Sequence, residues 1–238
     1  MIFKNMVTLN VQVKLIQPSV EILNIRIDEP ITTATDLVLA AICFYAFYRI
    51  RKLEGSGRIK WYFKYYFLTL GLGAMFGGIF GHAFQYRLSE EWKLVSWILT
   101  LGSVALMAHA LLEVARPHVK PKVARWVSRI TLLVFLVALF YTLWTLAFSP
   151  VKYYTIFGML MVVGSLSYYI YRKTDNRAML VLMGAVGVGF LSAIIFSFEW
   201  GLSPWFNHQD ISHVILSFSA FSLYKGAALI MDGSLIGP

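Results

Sequence analysis

Five residues of this 238-residue chain carry side chains suited to metal or acid–base chemistry and fall at the ends of long apolar runs. Asp36 opens the first run, His82 closes the second, and His208, Asp210 and His213 open the last. Imidazole nitrogens and carboxylate oxygens are ligands of first-row divalent cations, and the same groups move protons during hydrolysis. Ionisable groups within apolar spans are costly in lipid, and where several gather they mark function. The elements that must bring them together are membrane helices. Apolar runs at residues 33–50, 62–86, 92–112, 130–148, 153–171, 178–198 and 210–231 each approach the roughly 20 residues a spanning helix requires. The composition agrees, with 58% hydrophobic and only 14% charged residues, where a soluble domain carries about 25% charged. An all-α fold follows: a seven-helix transmembrane domain over residues 32–238, preceded by an N-terminal segment over residues 1–31.

The net charge of +9 is distributed in a way that assigns sides. Arg49, Arg51, Lys52, Arg58, Lys60 and Lys64 flank the first connector. Arg116, Lys120, Lys122, Arg125 and Arg129 fill the third, and Arg172, Lys173 and Arg177 the fifth. The even connectors hold only Arg87, Lys93 and Lys152. This is the positive-inside pattern, so the odd connectors are expected in the cytoplasm, the N-terminus outside and the C-terminus inside. The basic charge is therefore topogenic and not the footprint of a nucleic acid. Threading with that orientation puts Asp36, His82 and the cluster from His208 to His213 at one level on the outer rim.

The N-terminal segment lacks the unbroken apolar stretch of a signal peptide. Val7, Leu9, Val11, Val13 and Leu15 alternate with polar residues, and Leu23, Ile25 and Ile27 do so again, with Gln17-Pro18-Ser19 between the runs. Period-two patterning around a proline turn predicts a short β-hairpin on the outer face, or else an interfacial flap or a strand that docks a protein partner. Cys43 is the single cysteine and excludes an intrachain disulfide. Gly73, Gly77 and Gly81 form a small-residue face on the second span, which predicts close helix packing that holds His82 in place. Trp61, Trp92, Trp97, Trp126, Trp200 and Trp205 fall near span ends, as interfacial belts do.

The spacing of His208 and His213 leaves two arrangements open. Five residues along a regular helix separate side chains by about 140°, which is not one face. Either Asp210 caps the helix and His208 lies before it, or Asn207 caps it and Asp210 and His213 share a face. Elsewhere, His109 and Glu113 read as a local helix pair and His118 as a loop residue. Lys225 reads as a residue reaching for the inner interface, Ser212, Ser219 and Ser222 as a packing stripe, and Glu199 as a further candidate for the rim.

The string His208-Gln209-Asp210-Ile211-Ser212-His213-Val214, opening the last of seven spans and followed by a small and aromatic run through Tyr224 and Gly226, resembles the CREST superfamily of seven-helix membrane metallohydrolases. That group includes the alkaline ceramidases and the progestin and adipoQ receptors. The resemblance implies zinc held by one histidine near the end of span two and two from span seven, with a zinc-bound water that cleaves lipid amides. His82 matches the span-two ligand, and the expected orientation matches the ceramidases. The chain departs from the pattern at three places. Gln209 stands four residues before His213, where the family has its other histidine. Gly78 stands where the family has a serine four before the span-two histidine. No aspartate follows in span three, so Asp36 or Asp210 must substitute.

These readings converge on a metal-dependent membrane hydrolase of lipid amide or ester bonds, with zinc on His82, His208 and His213. Asp36 or Asp210 would orient a ligand or activate the water. The substrate class comes from the resemblance alone. Two other classes fit the same residues: a non-enzymatic receptor or complex subunit with a structural metal, and a b-type cytochrome with His82 and His213 ligating haem.

Overall fold

A computed structural model of the chain describes residues 17–54 and 57–232. Two short strands, β1 (Val20–Ile22) and β2 (Ile25–Ile27), precede seven helices long and apolar enough to cross a membrane. These are α1 (Pro30–Lys52), α2 (Arg58–Ala83), α3 (Glu90–His118), α4 (Pro121–Thr145), α5 (Ser149–Thr174), α6 (Arg177–Ser197) and α7 (His208–Met231). The architecture is that of a multi-pass membrane protein. Its outward faces are apolar: Trp126, Leu133, Phe140 and Trp144 of α4 are all more than half exposed. On a soluble monomer so large an apolar surface would be an aggregation site, whereas in a bilayer lipid covers it.

Several helices start earlier or end later than their apolar runs. α4 begins at Pro121, ahead of the apolar run at 130, and carries Arg125 and Arg129 on its first turns. The hydrogen-bond ladder continues through basic turns because long side chains carry their charge outward while their stems lie on apolar surface. The basic clusters gather at one end of the bundle and His82 and His213 at the other, hereafter the histidine end.

The hairpin forms with a different turn from the one the sequence suggests. β1 and β2 pair antiparallel, Val20 with Ile27 and Ile22 with Ile25, around Leu23 and Asn24. Both turn residues take left-handed backbone, φ 52° and 60°, which matches the two-residue turn favoured by twisted hairpins. Gln17-Pro18-Ser19 therefore leads into the hairpin instead of closing it, and Leu23 is at its exposed tip. The alternating run from Val7 to Leu15 lies outside the described residues.

The core lies between α1, α2, α3, α6 and α7, where Phe63, Phe67, Met107, Leu111, Met179, Leu182 and Leu223 are fully buried. Small residues set the helix spacing, as they must where apolar burial gives no drive for helices to associate. A β-carbon at Gly226 would stand 2.6 Å from Cδ2 of Leu182. The serine stripe bonds across helices: Ser192 and Ser212 donate to one another's carbonyls at 3.0 and 3.2 Å, and Ser219 donates to Ala185 O at 2.8 Å. Lys225 is exposed and lies over the rings of Phe221 and Tyr224.

Gly226→Val should lower stability by about 1–3 kcal/mol, the usual penalty for overpacking. Gly187, with no atom within 4 Å of a β-carbon built there, should accept alanine without loss. Thermal unfolding in detergent followed for both variants checks the contrast.

Candidate functional site

The histidine end is built around one buried carboxylate. Asn207 caps α7 by accepting from Gln209 N–H, and Asp210 at the third helical position accepts from Asn207 N–H at 2.7 Å, completing a capping box. Of the two arrangements the spacing allows, this is the one with Asn207 as cap, so His208 is the first residue of the helix. Asp210 also accepts from the Thr32 hydroxyl at 2.7 Å and from the Gln17 side chain at 3.2 Å. Gln17 in turn donates to Trp205 O and accepts from Ile31 N–H. The carboxylate of Asp210 is thus engaged in tying the segment that leads into the hairpin, the start of α1 and the start of α7 into one joint.

That joint sets Asp36 one turn further into the bundle, between two imidazoles. Its Oδ2 lies 3.8 Å from His82 Nε2, and its Oδ1 lies 3.5 Å from His213 Nδ1. The ring centroids of His82 and His213 are 6.3 Å apart. Asp36 is 5% exposed, so its carboxyl is withdrawn from solvent and faces these rings. Thr35 Oγ1 contacts His213 Nδ1 at 3.3 Å, and Glu29 pairs with His82 Nδ1.

Helix irregularity and glycine make this convergence possible. The last turns of α2, Gly77–Ala83, are π-helical, and Phe84 N–H bonds back five residues to Ile79 O at 3.0 Å. Such a widened turn changes the direction in which His82 projects and is frequent at functional sites. A β-carbon at Gly78 would lie 2.9 Å from Cβ of Asp36 and 3.2 Å from Thr33 O, so a serine at this position would push α1 away. A hydroxyl stands nearby on α3. Ser96 Oγ and Asp36 Oδ2 lie 3.0 and 3.5 Å from the point where a β-carbon of Gly77 would stand.

A cavity of about 330 Å³ opens at this point, lined by Asp36, Gly77, His82, Ser96, Gln209 and His213, with Lys93 at its side. Lys93 pairs with Glu90 at 2.6 Å. Leu39, Leu70, Thr100 and Leu216 line both this polar cavity and a second, apolar one of about 130 Å³ that runs among Val104, Ile156, Val186 and Phe190. The two cavities thus share a wall, one carrying the polar groups around Asp36 and the other lined by apolar side chains.

Of the residues expected at the site, Asp36, His82 and His213 come together. Gln209, four before His213, lines the cavity, while His208 turns its ring edge against Phe196 at 5.4 Å between centroids. Asp210 is adjacent but serves the joint. Glu199 is exposed in the loop after α6. At the basic end His109 and Glu113 do not pair: His109 contacts Ala105 O and Ser128, and Glu113 contacts Arg58 and Arg116. Glu29, Thr35 and Ser96 escape sequence reasoning because each is a common surface or packing residue whose place depends on a neighbouring helix. Gln17 gave one signal, a polar residue beside proline just ahead of the first span.

The donor set suits a small divalent cation in kind, two imidazoles and a carboxylate. Ligands about 2.1 Å from one ion in tetrahedral geometry lie about 3.4 Å apart, close to each of the two Asp36–histidine separations. Among the described residues no three such side chains already surround a single point, so these side chains would have to rearrange for all three to share an ion.

The fold and site together define a seven-helix membrane protein with a histidine–carboxylate centre at one end. The chain belongs to the family of unknown function DUF6962, which matches residues 31–232 and so takes in all seven helices. No curated protein and no solved structure matches it.

Asp210→Ala should destabilise the fold by about 1–3 kcal/mol, because it strands buried donors and removes the capping box. Asp36→Asn, which keeps shape and needs no backbone partner, should unfold close to wild type. Melting temperatures of the two purified variants show which of the two carboxylates the fold depends on.

Proposed function

We propose that the protein is an integral-membrane hydrolase of lipid acyl bonds, amide or ester, that works with a divalent metal, zinc by its donor set, at Asp36, His82 and His213. The observation that carries this reading is Asp36 set between two imidazoles in a polar cavity that shares its wall with an apolar one. The resemblance to the CREST superfamily supports the same class, with Ser96 in the role of the hydroxyl that Gly78 cannot supply. When bound, the metal supplies Lewis-acid polarisation of a carbonyl and acidifies water to a pKa of about 7. The chain's own groups do the rest. His82, His213 and one oxygen of Asp36 would hold the centre, and the other oxygen of Asp36 would accept a proton from the attacking water. The Gln209 amide and Ser96 hydroxyl line the cavity where donors to a developing oxyanion are needed. Addition of water across the acyl bond releases a carboxylic acid and an amine or alcohol. A haem between His82 and His213 has no support in this geometry, because the Asp36 carboxylate stands between the rings.

The orientation belongs to the same proposal: fourteen basic residues flank the odd connectors against three in the even ones, which puts the histidine end outside. Reporter fusions after Gly55 and Lys120 should report cytoplasm and one after Ser149 the exterior. A reversed pattern would place the site on the cytoplasmic side.

Purified without chelator, the protein should carry about one zinc per chain, lost in His82→Ala and His213→Ala and kept in His109→Ala and His118→Ala, as the three-ligand catalytic sites predict. His208→Ala should also keep the metal. Offered ceramide-like amides and simple lipid esters in detergent, wild type should turn over one class, and Asp36→Asn should lose turnover while folding normally. Zinc without turnover on either class would favour a receptor or complex subunit, and no zinc on titration would remove the metal from the reading.

A further inference from the structure

The residue just before α1 breaks two local rules. Glu29 adopts left-handed backbone, φ 44° and ψ 55°, which side chains with a β-carbon seldom occupy. It also holds the N-cap position of α1 without capping the helix through its side chain, where serine, threonine, aspartate or asparagine is usual. Strained backbone survives where its surroundings over-determine it, and it clusters at functional sites. The surroundings here are explicit. Asp28 N–H donates to Ala83 O at 3.0 Å, Thr33 N–H donates to Glu29 O at 2.9 Å, and Pro30 begins the helix. With its backbone clamped between α2 and α1, Glu29 turns its carboxylate to Nδ1 of His82, whose Nε2 looks toward Asp36.

We infer that Glu29 is a positioning residue for His82 and decides which ring nitrogen is offered to the cavity. An ionised carboxylate only accepts, so the nitrogen against it carries the hydrogen. Nδ1–H then points at Glu29, and the lone pair of the neutral ring falls on Nε2, facing Asp36 and the cavity. Histidines that ligate metals are commonly held in this way, by a carboxylate on the second nitrogen. The purpose of this arrangement rests on the proposed reading of His82 as a ligand, but the tautomer does not. It also gives the N-terminal hairpin a part in the site. The hairpin segment that Gln17 ties to Asp210 at one end finishes at the residue that aims His82 at the other.

The test reads the ring directly. In metal-free protein labelled with nitrogen-15 histidine, above the ordinary imidazole range, long-range proton–nitrogen spectra distinguish the two neutral tautomers. The His82 signal, assigned by its loss in His82→Ala, should show hydrogen on Nδ1 in wild type. Glu29→Ala should move it to Nε2, whereas Glu29→Gln, whose amide oxygen still accepts, should keep it on Nδ1. Arg26→Ala, which breaks the Arg26–Asp28 pair on the same hairpin, should leave it unchanged. If alanine disturbs the helix start, Glu29→Asn replaces it, since asparagine tolerates left-handed backbone and is too short to reach the ring. Zinc titration should show affinity about 10–100-fold weaker in Glu29→Ala and close to wild type in Glu29→Gln. A wild-type ring with hydrogen on Nε2, a doubly protonated ring, or a signal that ignores Glu29→Ala in folded protein would overturn the inference. A tautomer that follows Glu29 while no variant binds zinc would uphold the positioning role and sink the metal; zinc bound equally by all variants with an unmoved tautomer would do the reverse.

Discussion

The histidine end depends on how closely the first helix is drawn against the second and the seventh. Asp210 sets one side of that approach. Its oxygens take donors from Thr32, Gln17 and Asn207, so the starts of α1 and α7 and the segment leading to the hairpin share one buried carboxyl group. A buried carboxylate is tolerable only when its acceptor sites are filled, and once filled it is expensive to disturb. Gly78 sets the other side, because only a residue without a side chain lets Asp36 pass at van der Waals distance from α2. Move either contact by an ångström and Asp36 no longer lies between the two rings.

A second constraint follows from lipid itself. In a bilayer each backbone group must find its partner within the protein, so a helix can redirect a side chain only by re-pairing its ladder, not by breaking it. The π-helical end of α2 is such a re-pairing, and it delivers His82 beneath the hairpin. A similar turn in α5, Phe157–Gly164, sits where Gly158 meets the Val104 side chain, beside the apolar cavity. Both π-helical turns thus border the two adjoining cavities. The straight, outward-facing α4 has no such turn and no part in the site.

Polar groups divide the labour in a way that residue type alone does not disclose. Asp36 and Asp210 are both buried acids near a helix start, yet one is saturated by hydroxyl, amide and backbone donors and the other faces imidazoles across a cavity. His208 and His213 are five residues apart on one helix, yet one packs against Phe196 and the other reaches Asp36.

The sequence by itself determined the seven apolar helices, the gathering of basic residues at one end, and the common level of Asp36, His82 and His213. Those features follow from hydropathy and from an alternating path through a slab, which need no knowledge of neighbours. Its alternating pattern also carried the strand at Ile25–Ile27, though not the partner Val20–Ile22 or the turn, since Leu23 and Asn24 form one only by accepting left-handed backbone. Only the tertiary structure decided that Asn207 is the cap, that Gln209 and not His208 faces the cavity, and that Asp36 and not Asp210 meets the histidines. The same holds for Glu29, Thr35 and Ser96. Each belongs to the site through the lateral approach of another helix or of the strand before α1. Periodicity along one chain states which face a residue is on, and packing alone states what stands opposite.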